Sequence, residues 1–158
     1  GTLTLSPTDD AHVAAATPTT NFGAATTLLS DASPVLASYL KFDLTALAGA
    51  SVTSATLRMT VRSKSTGVQS VRDVANVAWL EGALTYNGRP AVGAAITSFT
   101  PNVTRGTVLN VDITTWVAAH AGQLGSLAID STSSDGYEFV SSEGAGGAVQ
   151  LIVTYSQP

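Results

Sequence analysis

Ser38-Tyr39-Leu40-Lys41-Phe42-Asp43-Leu44 is the stretch whose reading decides the fold. Leu40, Phe42 and Leu44 alternate with Tyr39, Lys41 and Asp43, and a period of two sends successive side chains to opposite faces of an extended chain. The stretch predicts a half-buried strand, with the apolar file inward and Tyr39, Lys41 and Asp43 outward. Residues 55–62 repeat the pattern: Ala55, Leu57, Met59 and Val61 form the inward file, and Thr56, Arg58, Thr60 and Arg62 the outward one.

Working outward, Thr2-Leu3-Thr4-Leu5 and His12-Val13-Ala14 read as strands on either side of Pro7, and Thr27-Leu28-Leu29 as a brief one. Val68 to Val74, Val108 to Ile113, Leu127 to Ile129, Tyr137 to Val140 and Val149 to Tyr155 follow. Trp79 to Tyr86 is a longer phrase of the same series, closed by the turn dipeptide Asn87-Gly88. Thr114 stands where an N-cap belongs, ahead of Thr115 to Ala121 with Gly122 as a stop, and this is the one helix expected. About ten short strands separated by Gly, Pro and Ser predict an all-β sandwich of jelly-roll type with one short helix. Residues 1–158 are expected to form a single domain.

Charged residues make up 11% of the chain, against roughly 25% in an average soluble domain. Seven Lys+Arg against eleven Asp+Glu is the wrong balance for a nucleic-acid binder. The hydroxyl-rich, weakly charged surface that remains suits an extracellular domain facing polysaccharide. Cysteine is absent, which excludes disulfides and zinc-thiolate sites. No apolar run reaches the ~20 residues of a membrane-spanning helix, so membrane insertion is not expected. Beginning at Gly1 without a basic n-region and apolar h-region, the chain reads as a monomeric module of a longer secreted protein.

Seven phrases, in order, resemble the DNRLRE domain, which is classed with carbohydrate-binding module family 96. They are Asp10-Ala11-His12-Val13, Asn21-Phe22-Gly23, Tyr39-Leu40-Lys41-Phe42-Asp43-Leu44, Ala55-Thr56-Leu57-Arg58, Trp79 to Asn87, Val111-Asp112-Ile113-Thr114 and Phe139-Val140-Ser141-Ser142-Glu143. The resemblance implies a secreted β-jelly roll appended to polysaccharide lyases, glycoside hydrolases or surface proteins, some members of which bind alginate or other acidic glycans. His12 stands where Tyr is common in that family, and Ser142 where a basic residue is common; if that basic residue contacts an anionic sugar in relatives, the resemblance implies a different glycan for this member.

Three sets of residues are candidates for a site. If the strands containing Tyr39 and Ala55 pair, then Tyr39, Lys41 and Arg58 share one solvent-facing sheet surface with Arg62 near its edge. Arg and Lys there would hold carboxylate or sulfate groups, and Tyr would pack on a sugar ring. The same side chains also read as ordinary solubilising groups, paired with Asp43. Tyr86 and Arg89, in the Tyr86-Asn87-Gly88-Arg89 loop, form the second set, and structural and ligand-contacting roles fit them equally. Trp116 reads as core and Trp79 as half-buried. Third, Asp10 and Asn21 could supply part of the oxygen shell of a structural Ca²⁺, or could cap loops by hydrogen bonding.

Catalysis finds no pattern. His12 and His120 stand apart without companions, and neither a Gly-x-Ser-x-Gly elbow nor a His-Glu-x-x-His pair occurs. The expected function is a non-catalytic polysaccharide-binding module, with an acidic glycan such as alginate favoured. The alternative is a structural spacer or adhesion domain of a bacterial surface protein with no sugar ligand.

Overall fold

The computed structural model describes residues 1–158. Its eleven strands are β1 (Thr2–Leu5), β2 (Asp9–Ala14), β3 (Thr27–Ala32), β4 (Val35–Asp43), β5 (Ser51–Ser63), β6 (Gln69–Val74), β7 (Ala95–Phe99), β8 (Val108–Asp112), β9 (Leu124–Ser131), β10 (Tyr137–Val140) and β11 (Gln150–Ser156). One helix, α1 (Thr114–His120), lies between β8 and β9, and no helix is long and apolar enough to cross a membrane.

Every pairing is antiparallel, and the sheet curls into an all-β sandwich. One layer is built on β5, which pairs with β11 on one side and β8 on the other, with β1 beyond β11. The second is built on β4, flanked by β2 and β9, and continues through β6 to β7. β10 bonds to both β3 and β5, so it carries the sheet from one layer into the other and closes that side of the interior.

The inward files are those the alternation predicts. Leu40, Phe42 and Leu44 from one layer meet Ala55, Leu57, Met59 and Val61 from the other in a cluster of 21 buried residues. Burial of apolar area on this scale is the main favourable term in the fold. Trp116 anchors α1 in the same cluster. Gly125 makes room for its indole, because a Cβ there would meet the ring at 2.5 Å.

Three local expectations are corrected. Trp79 to Tyr86 forms turns and irregular chain, inside the long segment 75–94 between β6 and β7. Ala95–Phe99, with weak alternation, is a strand because β6 offers it an edge. The helix cap is not Thr114: Asp112 Oδ1 accepts from Thr114 N at 2.9 Å, while the Thr114 hydroxyl accepts from Ala55 N at 2.9 Å and ties α1 to β5. The predicted stop stands, since Gly122 has a φ of +89°, a region that favours glycine.

Candidate functional site

The single basic surface expected from Tyr39, Lys41, Arg58 and Arg62 does not form. β4 pairs with β2, β3 and β9, and β5 pairs with β8, β10 and β11, so the outward files of the two strands face opposite sides of the sandwich. Nor do Tyr39 and Lys41 meet solvent, at 1% and 5% exposed, and of the predicted outward file Asp43 alone, at the strand end, is exposed. The physical reason is the segment 75–94, which lies across that face and buries a second apolar cluster. Trp79 and Leu84 pack there on Ala11, Val13, Ala37, Tyr39, Val74 and Ala128, with Tyr86 at the margin.

Lys41 is the polar pin of this strap. Its ammonium lies 3.2 Å from Asp9 Oδ2, donates to the carbonyls of Val77 (3.1 Å) and Trp79, and sits 5.1 Å from the centroid of the Trp79 ring. Trp79 Nε1 donates to Ser126 Oγ at 2.8 Å, so the indole is fixed at both its apolar and polar parts. Arg58 is exposed on the other layer between Gln150 and Asn110, and Arg62 donates through Nη2 to the carbonyl of Ala145 at 2.9 Å.

The strap does create a groove, and it brings together three of the predicted residues. Tyr39, Tyr86 and Arg89 line a cleft of about 340 Å³ with Asp31, Asp130 and Ser131, rimmed by exposed Val35 and Val92. Tyr39 donates its hydroxyl to the Pro90 carbonyl at 2.9 Å, and burial pushes its phenol up to about 12, so it remains a neutral donor that holds the loop. The Arg89 guanidinium stacks 3.7 Å from the Tyr86 ring centroid and donates Nη1 to the Tyr86 carbonyl at 2.7 Å. A guanidinium carries five N–H donors in a fixed fork, so this one is held in place with most of its donors unused. Asp130 is already answered by Arg72 Nε, at 2.9 and 3.0 Å from its two oxygens. Asp31 accepts from Ser33 N at 3.0 Å through Oδ1.

The carboxylates gather elsewhere. Asp10, Glu81 and Glu143 bring one oxygen each to within 4.8 Å of one another. Asp10 accepts from Ser142 N at 2.7 Å and from the Ser142 hydroxyl, and Glu81 Oε1 accepts from Asp10 N at 3.0 Å. Position 142, where the family resemblance expects a basic side chain, therefore faces these acids and is not part of the groove. Desolvation raises the Asp10 carboxyl; it also pushes Glu81 up to about 7, with Glu143 and Asp10 adding to the effect. Asn21 Nδ2 donates to the carbonyls of Glu81 (2.7 Å) and Leu84 (2.8 Å), and Oδ1 accepts from Gly23 N at 3.0 Å. These bonds tie residues 21–23 to the strap. The sequence names Asp10 and Asn21 as ligands, and Glu143 only as one of several carboxylates near the chain ends. The available signal was that all three acids lie inside the phrases shared with the family.

The donor set of the trio is all oxygen, and no Lys or Arg hydrogen-bonds or ion-pairs with it. A hard cation such as Ca²⁺ fits those donors. No curated protein matches the chain. The family model described as Carbohydrate-binding module family 96 matches residues 1–155, which takes in both layers, the strap, the groove and the acid cluster. With the match running through every element just described, the chain belongs to carbohydrate-binding module family 96.

Proposed function

We propose that the protein is a non-catalytic module that binds an acidic polysaccharide through the groove under the strap, and that it serves a secreted enzyme or surface protein. The observation that carries this reading is the Arg89 guanidinium, held on the Tyr86 ring at the mouth of a cleft with Tyr39 in its wall. Arg89 would take the carboxylate of a uronate unit, and its fixed fork suits a planar anion. Asp31 and Ser131 lie within the same cleft, where a carboxylate and a hydroxyl can bond the ring hydroxyls. A neutral sugar would meet the same hydroxyl partners without engaging the guanidinium, and that difference is the source of selectivity. Asp10, Glu81 and Glu143 have a separate, structural part, with Ca²⁺ as the ion their oxygens would hold.

One shallow groove supports modest affinity, and several modules in one parent chain would raise it by avidity. Calorimetric titration with uronate oligosaccharides and with neutral glucans of equal length tests the reading. The uronate is expected to bind at least tenfold more tightly, and Arg89→Ala to remove that preference while leaving the melting temperature within a few degrees. Equal affinity for the neutral glucan would refute the acidic assignment. Silence from the folded protein toward every glycan would favour the spacer reading.

A further inference from the structure

A second concavity shares no residue with the Arg89 groove. It is a cleft of about 620 Å³ between α1 and the ends of β6, β7 and β8, within the roughly 300–1,000 Å³ range of small-molecule sites. Its polar lining comes from Asp73, Thr97, Asp112, Thr115 and His120, around the indole of Trp116. No Lys or Arg faces it, so its only fixed charges are carboxylates.

The lining is built to hold its shape. Trp116 Nε1 donates to Asp73 Oδ1 at 2.9 Å, and the His120 ring stacks on the indole with centroids 4.6 Å apart. His120 Nδ1 lies 2.7 Å from the Trp116 carbonyl, which can only accept, so Nδ1 carries the proton, while Nε2 faces Asp73 Oδ1 at 3.5 Å. Asp112 Oδ1 accepts from the N–H and hydroxyl of Thr114 at 2.9 and 2.6 Å, and these bonds hold its carboxyl below the usual carboxylate range. Each aspartate thus commits Oδ1 to the fold, and the Oδ2 of each has no protein partner. Two such acceptors, threonine hydroxyls and an aromatic wall in one cleft suit a ligand that is both cationic and hydroxylated.

We infer that this cleft is a second saccharide subsite, selective for a sugar unit carrying a primary ammonium group, of the glucosamine type. The inference rests on the reading of the chain as a carbohydrate-binding module and adds to it a ligand class opposite in charge to that of the Arg89 groove. A carboxylate-bearing sugar is disfavoured here, because it would bring a third negative charge to Asp73 and Asp112 with no cation to receive it. The ammonium of a glucosamine unit offers its donors to a free Oδ2 of Asp73 or Asp112, and the ring hydroxyls have Thr97 and Thr115 as partners in the same cleft.

Calorimetric titration of the full chain tests this with four probes: the fully deacetylated glucosamine trimer, its N-acetylated counterpart, putrescine and a uronate trimer. The deacetylated trimer is expected to bind at least tenfold more tightly than either the acetylated trimer or putrescine. Two variants on the exposed side of α1 block the cleft without touching its hydrogen bonds. Ala119→Trp fills it and Thr115→Lys places a cation in it; either should abolish glucosamine binding and leave uronate binding unchanged. Equal affinity for the acetylated trimer, equal affinity for putrescine, or binding that survives both variants would overturn the inference. If the uronate trimer binds and the glucosamine trimer does not, this subsite falls and the Arg89 reading stands. Silence toward all three saccharides removes both.

Discussion

Replacing Lys41 with Ala should destabilise the protein severely. As a solvent-facing lysine it would cost at most about 0.5 kcal/mol. In the structure its side chain is 6% exposed, and its ammonium pairs with Asp9 Oδ2 at 3.2 Å while bonding the carbonyls of Val77 and Trp79. Removing one member of a buried pair leaves the other charge uncompensated, at about 3–5 kcal/mol. Asp9 is itself only 16% exposed, so water relieves little of that charge. For a chain of this size 1 kcal/mol moves the midpoint by roughly 2–4 °C, so the melting temperature should fall by about 6–20 °C.

The loss should begin in the strap. Amide exchange in segment 75–94 is expected to accelerate before that of β5 or β11, because Lys41 pins that segment and not the main core. Asp9→Asn keeps an oxygen for Glu81 N, which Asp9 Oδ1 accepts at 2.9 Å, while removing the charge. The double variant should therefore be less destabilised than the two single losses added together. A midpoint shift under 2 °C for Lys41→Ala, or additive losses in the cycle, would show that the ion pair and strap are not coupled as described.

Gly23→Ala should cost about 1–3 kcal/mol, since a Cβ at that position would be driven into the backbone carbonyl of Glu81; chemical denaturation measures it, and an unchanged midpoint would contradict the close approach. The carboxyls of Asp10 and Glu81 are raised in the folded state, Glu81 from 4.5 to about 7, so the folded protein keeps a proton that the unfolded chain has released. The Glu81 contribution is therefore fully present below about pH 4.5 and is lost as pH rises through about 7, and Asp10 acts in the same sense. Melting followed from pH 5 to 8 should show stability falling with pH and a flatter profile for Glu81→Gln, and a parallel slope in the variant would count against the cluster. Millimolar Ca²⁺ at pH 8 should raise the midpoint, with reversal by a chelator, because the ion takes the place of the proton; no response would exclude the cation. Asp43, Asp112 and Asp135, held low by bonds from Thr45, Thr114 and Thr66, act in the opposite sense and only at lower pH.

The main core was legible because its signal is local. Alternation through Leu40-Phe42-Leu44 and Ala55-Leu57-Met59-Val61 names the inward files without knowledge of any partner strand. The seven phrases carried the family in the same way. What alternation cannot say is what covers the outward file. Tyr39 and Lys41 read as surface because a strand's period distinguishes two faces but does not report that a segment 40 residues downstream will cover one of them.

The candidate site divides along that line. Tyr86 and Arg89 are neighbours in one loop and could be named from it, while their meeting with Tyr39 depends on the strap crossing β4. Residue spacing cannot bring Asp10, Glu81 and Glu143 together, for they are separated by 71 positions in one case and belong to three different loops and strand ends. By itself the sequence determined an all-β chain with two inward files, no thiol chemistry and a family. Which residues share a charge, a groove or a cleft was decided by tertiary structure, because electrostatic and steric neighbours are set by distance in space, and strand pairing sets that distance with little regard to separation along the chain.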